Sequence, residues 1–440
     1  MRRILPLSAA LPLLACAPAE VGPASSDVSP TTEDSSTPTS GTTDASTSGD
    51  STSGSSGEAA SEGSTSDEAT EATSGDGSES SGTGGSESEW EWEWDIPEHF
   101  PEPKVPEDNP MTAEKVELGR HLFYDERLSA NGTQSCASCH RQELAFTDGL
   151  ALPVGSTGDI IPRNSMSLAN VAYSSRHTWG NPLLESLSQQ ATIPLFAEIP
   201  TELGAVFAEE EILERLADDA LYLELFDAAY PDDDERISWI NIRDAIASFQ
   251  RSLLSFSSPY DAFIAGDDDA ISASAKRGAN LFFGELFECH HCHNGFNFTN
   301  ATEHAGTVFD TPAYFNTGLY NIDGAGTYPQ AGWGIAEFTL EANDMGKHKP
   351  PTLRNIALTG PYMHDGSIAT LDEVVATYAA GGRLIEEGPL AGDGRANPYK
   401  SSFVSGFAMS EQDQADLIAF LESLTDEVFI SDPKFSDPWK

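Results

Sequence analysis

The chain has 440 residues, with 71 acidic and 23 basic side chains and a formal net charge of −48 at pH 7. This charge argues against nucleic acid and anionic membrane surfaces as partners. It favours a basic or metal-loaded protein partner, which the acidic field would steer towards the surface.

The first 16 residues have the pattern of a secretory signal peptide. Arg2 and Arg3 precede an apolar stretch from Ile4 to Leu14, which is too short to span a membrane. The segment ends in Leu-Leu-Ala-Cys, a sequence similar to the bacterial lipobox. We therefore expect lipidation at Cys16 and a lipid anchor, with ordinary cleavage nearby as the alternative. Export predicts a periplasmic or cell-envelope protein of a Gram-negative bacterium.

Residues 17–95 are rich in Ser, Thr, Gly, Glu and Asp, with 18 acidic and no basic residues. Such a segment buries too little apolar surface to offset its ordering entropy, which predicts a disordered tether. At its end, Trp90, Trp92 and Trp94 alternate with glutamates, so an extended chain places the three indoles on one side. We interpret them as a latch that docks on the folded part, or alternatively as an oxidisable electron relay.

Residues 96–440 carry 53 acidic and 21 basic residues and are long enough for two domains, which we place at 96–265 and 266–440. The pattern is mainly helical, with long Gly/Pro-rich loops at 141–200 and 294–360 and few strand signals. Helical spacing recurs in three places: Ile242, Ile246, Phe249 and Leu253; Leu371, Val374, Val375 and Tyr378 after a Thr370–Glu373 capping box; and Leu417, Phe420, Leu421 and Leu424 after Ser410.

Two segments have the C-x-x-C-H spacing that attaches a c-type haem through two thioether bonds and ligates its iron through the histidine. They are Cys136-Ala137-Ser138-Cys139-His140 and Cys289-His290-His291-Cys292-His293. A zinc or thiol–disulfide site is the alternative, but both copies carry the histidine and there is no third cysteine pair. Four of the five cysteines are thus assigned to two covalent haems.

A weak internal duplication precedes the two motifs. The segments Glu117–Phe123 and Lys276–Phe282 each place a glycine, Gly119 or Gly278, three residues before Leu-Phe. Glycine on such a helix would permit a neighbouring helix to approach closely. The expected fold is therefore two cytochrome c-type haem domains with long irregular loops.

The region from 110 to 425 resembles the bacterial di-haem cytochrome c peroxidases and their MauG and MbnH relatives. Four segments carry the resemblance: Leu128–His140, Arg163-Asn164-Ser165, Gln190–Gly204 and Pro351–Gly366. The resemblance implies a peroxide-reacting haem in the N-terminal domain and an electron-transfer haem in the C-terminal domain.

The segment Gln189–Gly204 resembles the distal loop of this family, which lies over the open face of the first haem. By that resemblance Gln190, Pro194 and Glu202 take the family's catalytic positions, with Glu202 as the acid/base that moves a proton between the peroxide oxygens. Two extra residues separate the proline from the glutamate, which makes Glu198 a rival for this role.

The sixth ligand of the second haem distinguishes the family's activities. Ordinary members have a methionine where this chain has Tyr378, as in MauG-like enzymes. A phenolate would stabilise the higher oxidation states of iron, whereas a thioether raises the potential. Alternatively Tyr378 is a buried core residue, and Met345, Met363 or His348 is the ligand.

Two further features follow from the resemblance. Trp179 corresponds to a tryptophan that carries oxidising equivalents between the two porphyrins, although a structural role is the alternative. Asn164, Thr359 and Pro361 match a calcium site built from an amide and backbone carbonyls, and hard oxygen donors suit Ca²⁺.

These features predict an H₂O₂-dependent oxidase of the MauG/MbnH type. In that reaction the two haems share a high-valent iron state that oxidises aromatic residues of a partner protein. We expect these residues to be tryptophans and consider a copper-binding protein as the partner. The alternative is a peroxidase that reduces H₂O₂ with electrons from a donor c-type cytochrome. A non-enzymatic electron carrier would need two six-coordinate irons and no distal acid.

Overall fold

The computed structural model describes residues 92–309 and 313–440. These residues form helices joined by long loops and short 3₁₀ turns. The helices are α1 Ala113–Tyr124, α2 Cys136–Cys139, α3 Leu187–Gln190, α4 Thr192–Phe196, α5 Glu209–Ala217, α6 Ala220–Ala229, α7 Trp239–Ser252, α8 Pro259–Ile264, α9 Ala273–Phe282, α10 Ala336–Thr339, α11 Leu371–Ala379 and α12 Glu411–Glu422. The strands β1 Leu384–Ile385 and β2 Gly392–Asp393 pair antiparallel, with Leu384 opposite Asp393. The predicted mainly helical class is confirmed.

The three helices predicted from apolar spacing are present as α7, α11 and α12, and side chains cap all three. Ser238 accepts a hydrogen bond from the Asn241 amide at the start of α7. The predicted capping box of Thr370 and Glu373 begins α11, and Ser410 caps α12. These caps satisfy backbone amides that the first helical turn leaves without partners.

The duplication is visible as two equivalent helix pairs, α1 with α7 and α9 with α12. A Cβ atom added to Gly119 would lie 1.9 Å from the Ala245 carbonyl oxygen of α7. A Cβ atom added to Gly278 would lie 1.9 Å from the Asp416 carbonyl oxygen of α12. The predicted role of both glycines in close helix approach is confirmed.

We expect Gly278→Ala to destabilise the protein by about 1–3 kcal/mol, because the new methyl group overlaps backbone that must move. Urea unfolding of the haem-loaded protein measures the loss as a lower midpoint. Asn280→Ala, an exposed position on the same helix, is the matched control and should leave the midpoint unchanged. Equal midpoints for Gly278→Ala and wild type would contradict the close packing.

Two apolar clusters lie in the two halves of the chain. The first packs α1, α5, α6 and α7 together with Phe429 and Phe435 from the C-terminal segment. The second packs α9 and α12 around Phe298, Phe420 and Leu424. The C-terminal segment therefore contributes to the core of the N-terminal half, which joins the two halves through buried apolar contacts.

A buried ion pair fixes the start of the Pro351–Gly366 segment. Arg354 has a side chain only 1 % exposed, and its guanidinium donates to both carboxylate oxygens of Asp261 at 2.8 and 2.9 Å. The same guanidinium lies over the rings of Phe100, Phe256 and Phe298. A bidentate pair of this kind needs both partners, since removing one leaves a buried charge without compensation.

The end of the predicted tether lies against the folded part as far as the structure describes it. Trp92 and Trp94 are half-buried and Glu93 is exposed, and the two indole rings meet edge to face at 5.8 Å. Ile96 and Phe100 then join an apolar cluster with Tyr173 and Phe256. This arrangement supports the latch interpretation; the relay interpretation stays a prediction.

The signal peptide, Cys16, Trp90 and the tether up to residue 91 lie outside the described residues. Within 92–309 and 313–440, no helix is long and apolar enough to cross a membrane.

Candidate haem sites

Both C-x-x-C-H histidines are held in the same way. The Nδ1 atom of His140 lies 2.7 Å from the Phe146 carbonyl oxygen, and that of His293 lies 3.1 Å from the Phe298 carbonyl oxygen. Each carbonyl belongs to a phenylalanine whose backbone is in the left-handed conformation, with φ of 61° for Phe146 and 48° for Phe298. A hydrogen bond from Nδ1–H to a carbonyl leaves Nε2 free to ligate a metal and fixes the ring orientation.

The electrostatics of these side chains suit covalent haem. Burial lowers the pKa of His140 and lowers that of His293 to about 4, which keeps both imidazoles neutral, as metal ligands must be. Burial also raises the pKa of Cys136, Cys139, Cys289 and Cys292 to about 12. Protonated thiols in apolar surroundings suit thioether bonds better than zinc coordination, which requires thiolates.

The second motif opens onto an apolar cavity. Cys289, Cys292, His293 and Tyr378 all line this cavity. The remaining wall is largely aliphatic and aromatic, so its chemistry fits a haem. The structure thus brings together every residue that the sequence assigned to the second haem.

Tyr378 projects from the last turn of α11 into this cavity. Burial raises the pKa of its phenol, so the phenolate needs a nearby positive charge. A ferric iron held by His293 would supply that charge. Two of the rival ligands, His348 and Met363, also line the cavity, whereas Met345 packs against a separate apolar cluster.

Three basic side chains lie on the cavity wall: His348, which the sequence offered only as a rival ligand to Tyr378, with His364 and Lys349. His348 and His364 stack at 3.8 Å, and the Nε2 atom of each is buried without a hydrogen-bond partner. Burial lowers the pKa of the neighbouring Lys349 to about 8, and no hydrogen bond or ion pair to its ammonium is present among the described residues. A haem would bring two propionate carboxylates, which are the acceptors that such a group of donors can bind.

The proposed distal glutamate lies near the first motif. Glu202 is half-buried, and its carboxylate raises the pKa of both Cys136 and Cys139, which shows that it lies close to them. Burial raises the pKa of Glu202 to about 7. Glu198, its rival, is exposed. A carboxyl that titrates near neutral pH beside the haem attachment point is suited to proton transfer.

The raised pKa of Glu202 predicts a pH profile for the reaction with H₂O₂. Below about pH 7 the carboxyl is protonated and cannot accept the first peroxide proton, so the rate should fall roughly tenfold per pH unit. Above about pH 7 it should reach a plateau. Stopped-flow absorbance between pH 5 and 9 measures this rate, and Glu202→Gln, which cannot titrate, is the control. A flat wild-type profile would remove Glu202 from the proton-transfer step.

The other residues of the distal loop are positioned by short helices. Gln190 ends α3, whose N-cap Ser186 accepts a hydrogen bond from the Gln189 amide. Pro194 lies in α4, and its carbonyl accepts a hydrogen bond from the Leu203 amide at 2.9 Å. That bond holds Pro194 beside Leu203, the residue that follows Glu202.

Trp179 and Asn164 are in direct contact. The indole Nε1 of Trp179 donates to the Asn164 carbonyl oxygen at 2.8 Å, and Trp179 also lines the cavity at the second motif. The Asn164 amide nitrogen donates to the Leu150 carbonyl, and its backbone amide donates to the His364 carbonyl. Asn164 is therefore attached to the segment that contains Pro361, while calcium binding by Asn164, Thr359 and Pro361 stays a prediction.

Comparison with known proteins assigns the chain to a class. A sequence model of the family described as di-haem cytochrome c peroxidase matches residues 113–269. The methylamine utilization protein MauG of Methylorubrum extorquens is 34 % identical over 75 % of this chain and 83 % of its own. A cytochrome-c peroxidase of Denitromonas iodatirespirans is 36 % identical over 76 % of this chain and 88 % of its own.

Solved structures show the same fold. A MauG-like protein associated with microbial copper homeostasis has a TM-score of 0.78 and 49 % identity, covering 79 % of this chain and all of that one. A diheme peroxidase of Burkholderia thailandensis has a TM-score of 0.58 at 20 % identity, over 73 % of this chain and 88 % of its own.

These matches define an oxidoreductase with a predominantly helical di-haem fold. The chain belongs to the di-haem cytochrome c peroxidase and MauG family. Membership implies two c-type haems, consistent with the two C-x-x-C-H motifs. The names of the relatives include both MauG and cytochrome c peroxidases.

Proposed function

We propose that this protein is an H₂O₂-dependent oxidase of the MauG/MbnH type that oxidises aromatic side chains, above all tryptophan, of a partner protein. One observation carries the proposal: Tyr378 and His293 line the same apolar cavity, on which the second haem motif opens. When bound, the two haems supply the iron that receives electrons from the partner and passes them to peroxide.

The choice of a phenol at this position sets the direction of electron flow. A phenolate is a hard, anionic ligand that stabilises oxidised iron, whereas a methionine thioether raises the potential and favours reduction by a donor. With Tyr378 as the ligand, the second site is poor at accepting electrons from a cytochrome. The two oxidising equivalents of H₂O₂ are then not consumed by a cytochrome, and an aromatic side chain of a bound protein, although a weaker reductant, supplies the two electrons instead.

Proton transfer is assigned to the distal loop. Reduction of H₂O₂ to two water molecules consumes two electrons and two protons; oxidation of the partner side chain supplies the electrons. Glu202 accepts the proton from the proximal peroxide oxygen and returns it to the departing one. Pro194 lies in the same loop and prevents a side chain from ligating above the first site. Gln190 orients the peroxide.

Trp179 links the two sites in this proposal. It lines the cavity at the second motif, and the hydrogen bond from its indole to the Asn164 carbonyl fixes its orientation. An indole held in this way conducts electrons between the two sites. Asn164, Thr359 and Pro361 would hold a Ca²⁺ ion next to it, and such an ion would stabilise this arrangement.

The kind of partner is inferred from the charge of this chain and from one similar protein. The net charge of −48 favours a basic or metal-loaded partner. The MauG-like structure at 49 % identity is associated with copper homeostasis, so a copper-binding protein of the cell envelope is the preferred candidate. In the proposal, Cys16 is lipidated, residues 17–95 form the tether, and residues 96–265 and 266–440 form the two haem domains.

Reduction of H₂O₂ by a donor c-type cytochrome is the second candidate function. A curated relative named cytochrome-c peroxidase, 36 % identical, favours it. Met363 or His348, which also line the cavity, would then complete the second site in place of Tyr378.

The redox state in which the enzyme accepts H₂O₂ tests the proposal. An oxidase with Tyr378 as a ligand should react with H₂O₂ when both haems are ferric. A cytochrome peroxidase of the ordinary kind needs one electron from its donor first. Stopped-flow spectra of the diferric and the half-reduced protein, recorded in parallel, separate the two. A diferric protein that stays inert and reacts only after reduction would overturn the oxidase proposal.

A further inference from the structure

A second candidate metal site lies beside the haem attachment loop. His290 and His291 occupy the two variable positions of the second C-x-x-C-H motif, in a short 3₁₀ turn from Cys289 to His291. Their side chains, with the carboxylate of Glu285, offer ligand atoms that all lie within 4.8 Å of one another. Neither histidine takes part in haem ligation as proposed above, so this cluster is left without a role.

The distances from the Glu285 carboxylate to the two histidines fit ligands around an ion better than hydrogen bonds. The Nε2 atoms of His290 and His291 lie 3.6 and 3.7 Å from the two carboxylate oxygens of Glu285, which is too long for a hydrogen bond. Two ligand atoms that each lie 2.0–2.2 Å from a tetrahedral zinc ion are separated by about 3.4 Å. A small movement of the exposed Glu285 side chain would bring its oxygens to that separation from the two Nε2 atoms, and all the ligand atoms already lie within 4.8 Å of one another.

A further carboxylate is within reach of the same atoms. Glu288 has an oxygen 2.7 Å from the His291 Nε2 atom. Once an ion displaces the proton on that nitrogen, Glu288 can supply a fourth ligand, the second carboxylate of the set. The cluster thus contains two imidazoles and two carboxylates, a donor set that can enclose one ion.

The two imidazoles are held in place before any ion binds. Their rings lie 4.2 Å apart, and Phe403 stacks on His291 at 4.2 Å with an angle of 15° between the rings. The side chains are only 22 % and 29 % exposed. The covalent loop between Cys289 and Cys292 further restricts them, so ordering the ligands costs little entropy on binding.

We propose that His290, His291 and Glu285, with Glu288, form a binding site for one borderline divalent cation, Cu²⁺ or Zn²⁺. Imidazole nitrogen suits these two ions, and Cu²⁺ lies at the top of the affinity order for such ligands. Calcium and magnesium are excluded because they prefer oxygen donors. The site is separate from the haem irons and does not depend on which reaction the enzyme performs.

The position of the site gives it a measurable consequence. Both histidines lie between the two cysteines that attach the second haem, so a bound dication adds positive charge next to that haem. Positive charge favours the reduced, less positive iron, and the reduction potential of the second haem should rise on metal binding. The redox activity would then respond to the copper or zinc level around the protein.

Isothermal titration calorimetry of the di-haem protein with ZnSO₄ tests the site, because Zn²⁺ binds without redox chemistry. We expect one ion per protein in the wild type. The His290→Ala/His291→Ala double variant should bind at least tenfold more weakly, and Glu285→Gln, which keeps the shape of the side chain, should lose affinity by roughly tenfold. His304→Ala, a histidine outside the cluster, is the control and should bind like wild type.

Two additional measurements make the test decisive. Intact mass must show two covalent haems in each variant. If the double variant loses a haem, the zinc affinity is compared between wild type and Glu285→Gln alone. Spectroelectrochemistry should show a higher second-haem potential with Zn²⁺ in the wild type and no change in the double variant. Equal zinc affinity in wild type, Glu285→Gln and every variant that retains both haems would overturn the proposal.

Discussion

Replacing Tyr378 by phenylalanine should abolish oxidation of the partner protein while both haems remain attached. The substitution removes only the phenol oxygen from the cavity at the second motif. Without a hard anionic ligand, oxidised iron at that site loses its stabilisation. The reduction potential of the second haem should rise by on the order of 10² mV, since axial ligands set haem potentials over about 0.8 V. Tyr378→Met should raise it in the same direction.

His348→Phe is the matched control for this experiment. His348 lines the same cavity, and phenylalanine preserves its stacking on His364. The control should keep the ligand-field spectrum of the second haem. If His348→Phe changes that spectrum and Tyr378→Phe does not, His348 is the ligand and the assignment of Tyr378 is wrong.

Glu202→Gln should slow the reaction with H₂O₂ by roughly 10²–10⁴-fold, the usual contribution of a general acid/base. Glutamine retains the size and hydrogen bonding of the side chain but cannot accept a proton. Burial, which raises the pKa of Glu202 to about 7, makes the wild-type carboxyl suited to this step. Stopped-flow absorbance after mixing with H₂O₂ measures the rate.

The rival glutamate provides the control for that measurement. Glu198 is exposed, and its backbone forms an isolated bridge with Thr201. Glu198→Gln should therefore react at the wild-type rate. A slow Glu198→Gln variant together with a normal Glu202→Gln variant would exchange the two roles.

Local patterns in the sequence were sufficient to predict three of the helices and the two haem motifs. Apolar spacing and side-chain caps are short-range signals, and α7, α11 and α12 follow from them. The C-x-x-C-H motifs likewise place all attachment groups within five residues. The duplicated glycines predicted close helix approach because their spacing to Leu-Phe repeats in both halves.

Contacts across long loops could not be predicted in the same way. Lys349 and His348 come from the 294–360 loop, which has no periodic pattern, yet they line the cavity with Tyr378. His364 joins them through stacking that no sequence spacing specifies. The Phe146 and Phe298 carbonyls that orient the haem histidines belong to backbone, and backbone groups carry no residue signature.

The cluster of His290, His291 and Glu285 illustrates the same limit. From the sequence, the two histidines are variable positions within a haem motif and suggest nothing further. Only the folded turn brings their Nε2 atoms near the Glu285 carboxylate. A ligand set assembled from a turn and the preceding loop thus becomes visible in three dimensions alone.

Mass spectrometry of a partner protein tests the central claim most directly. The diferric enzyme and H₂O₂ are incubated with candidate copper-binding and basic envelope proteins, with and without a reduced c-type cytochrome. We expect an oxidised aromatic residue, above all a tryptophan, in a partner, formed without the cytochrome and absent with Tyr378→Phe. Unmodified partners, together with H₂O₂ consumption that matches the oxidation of the reduced cytochrome, would contradict it.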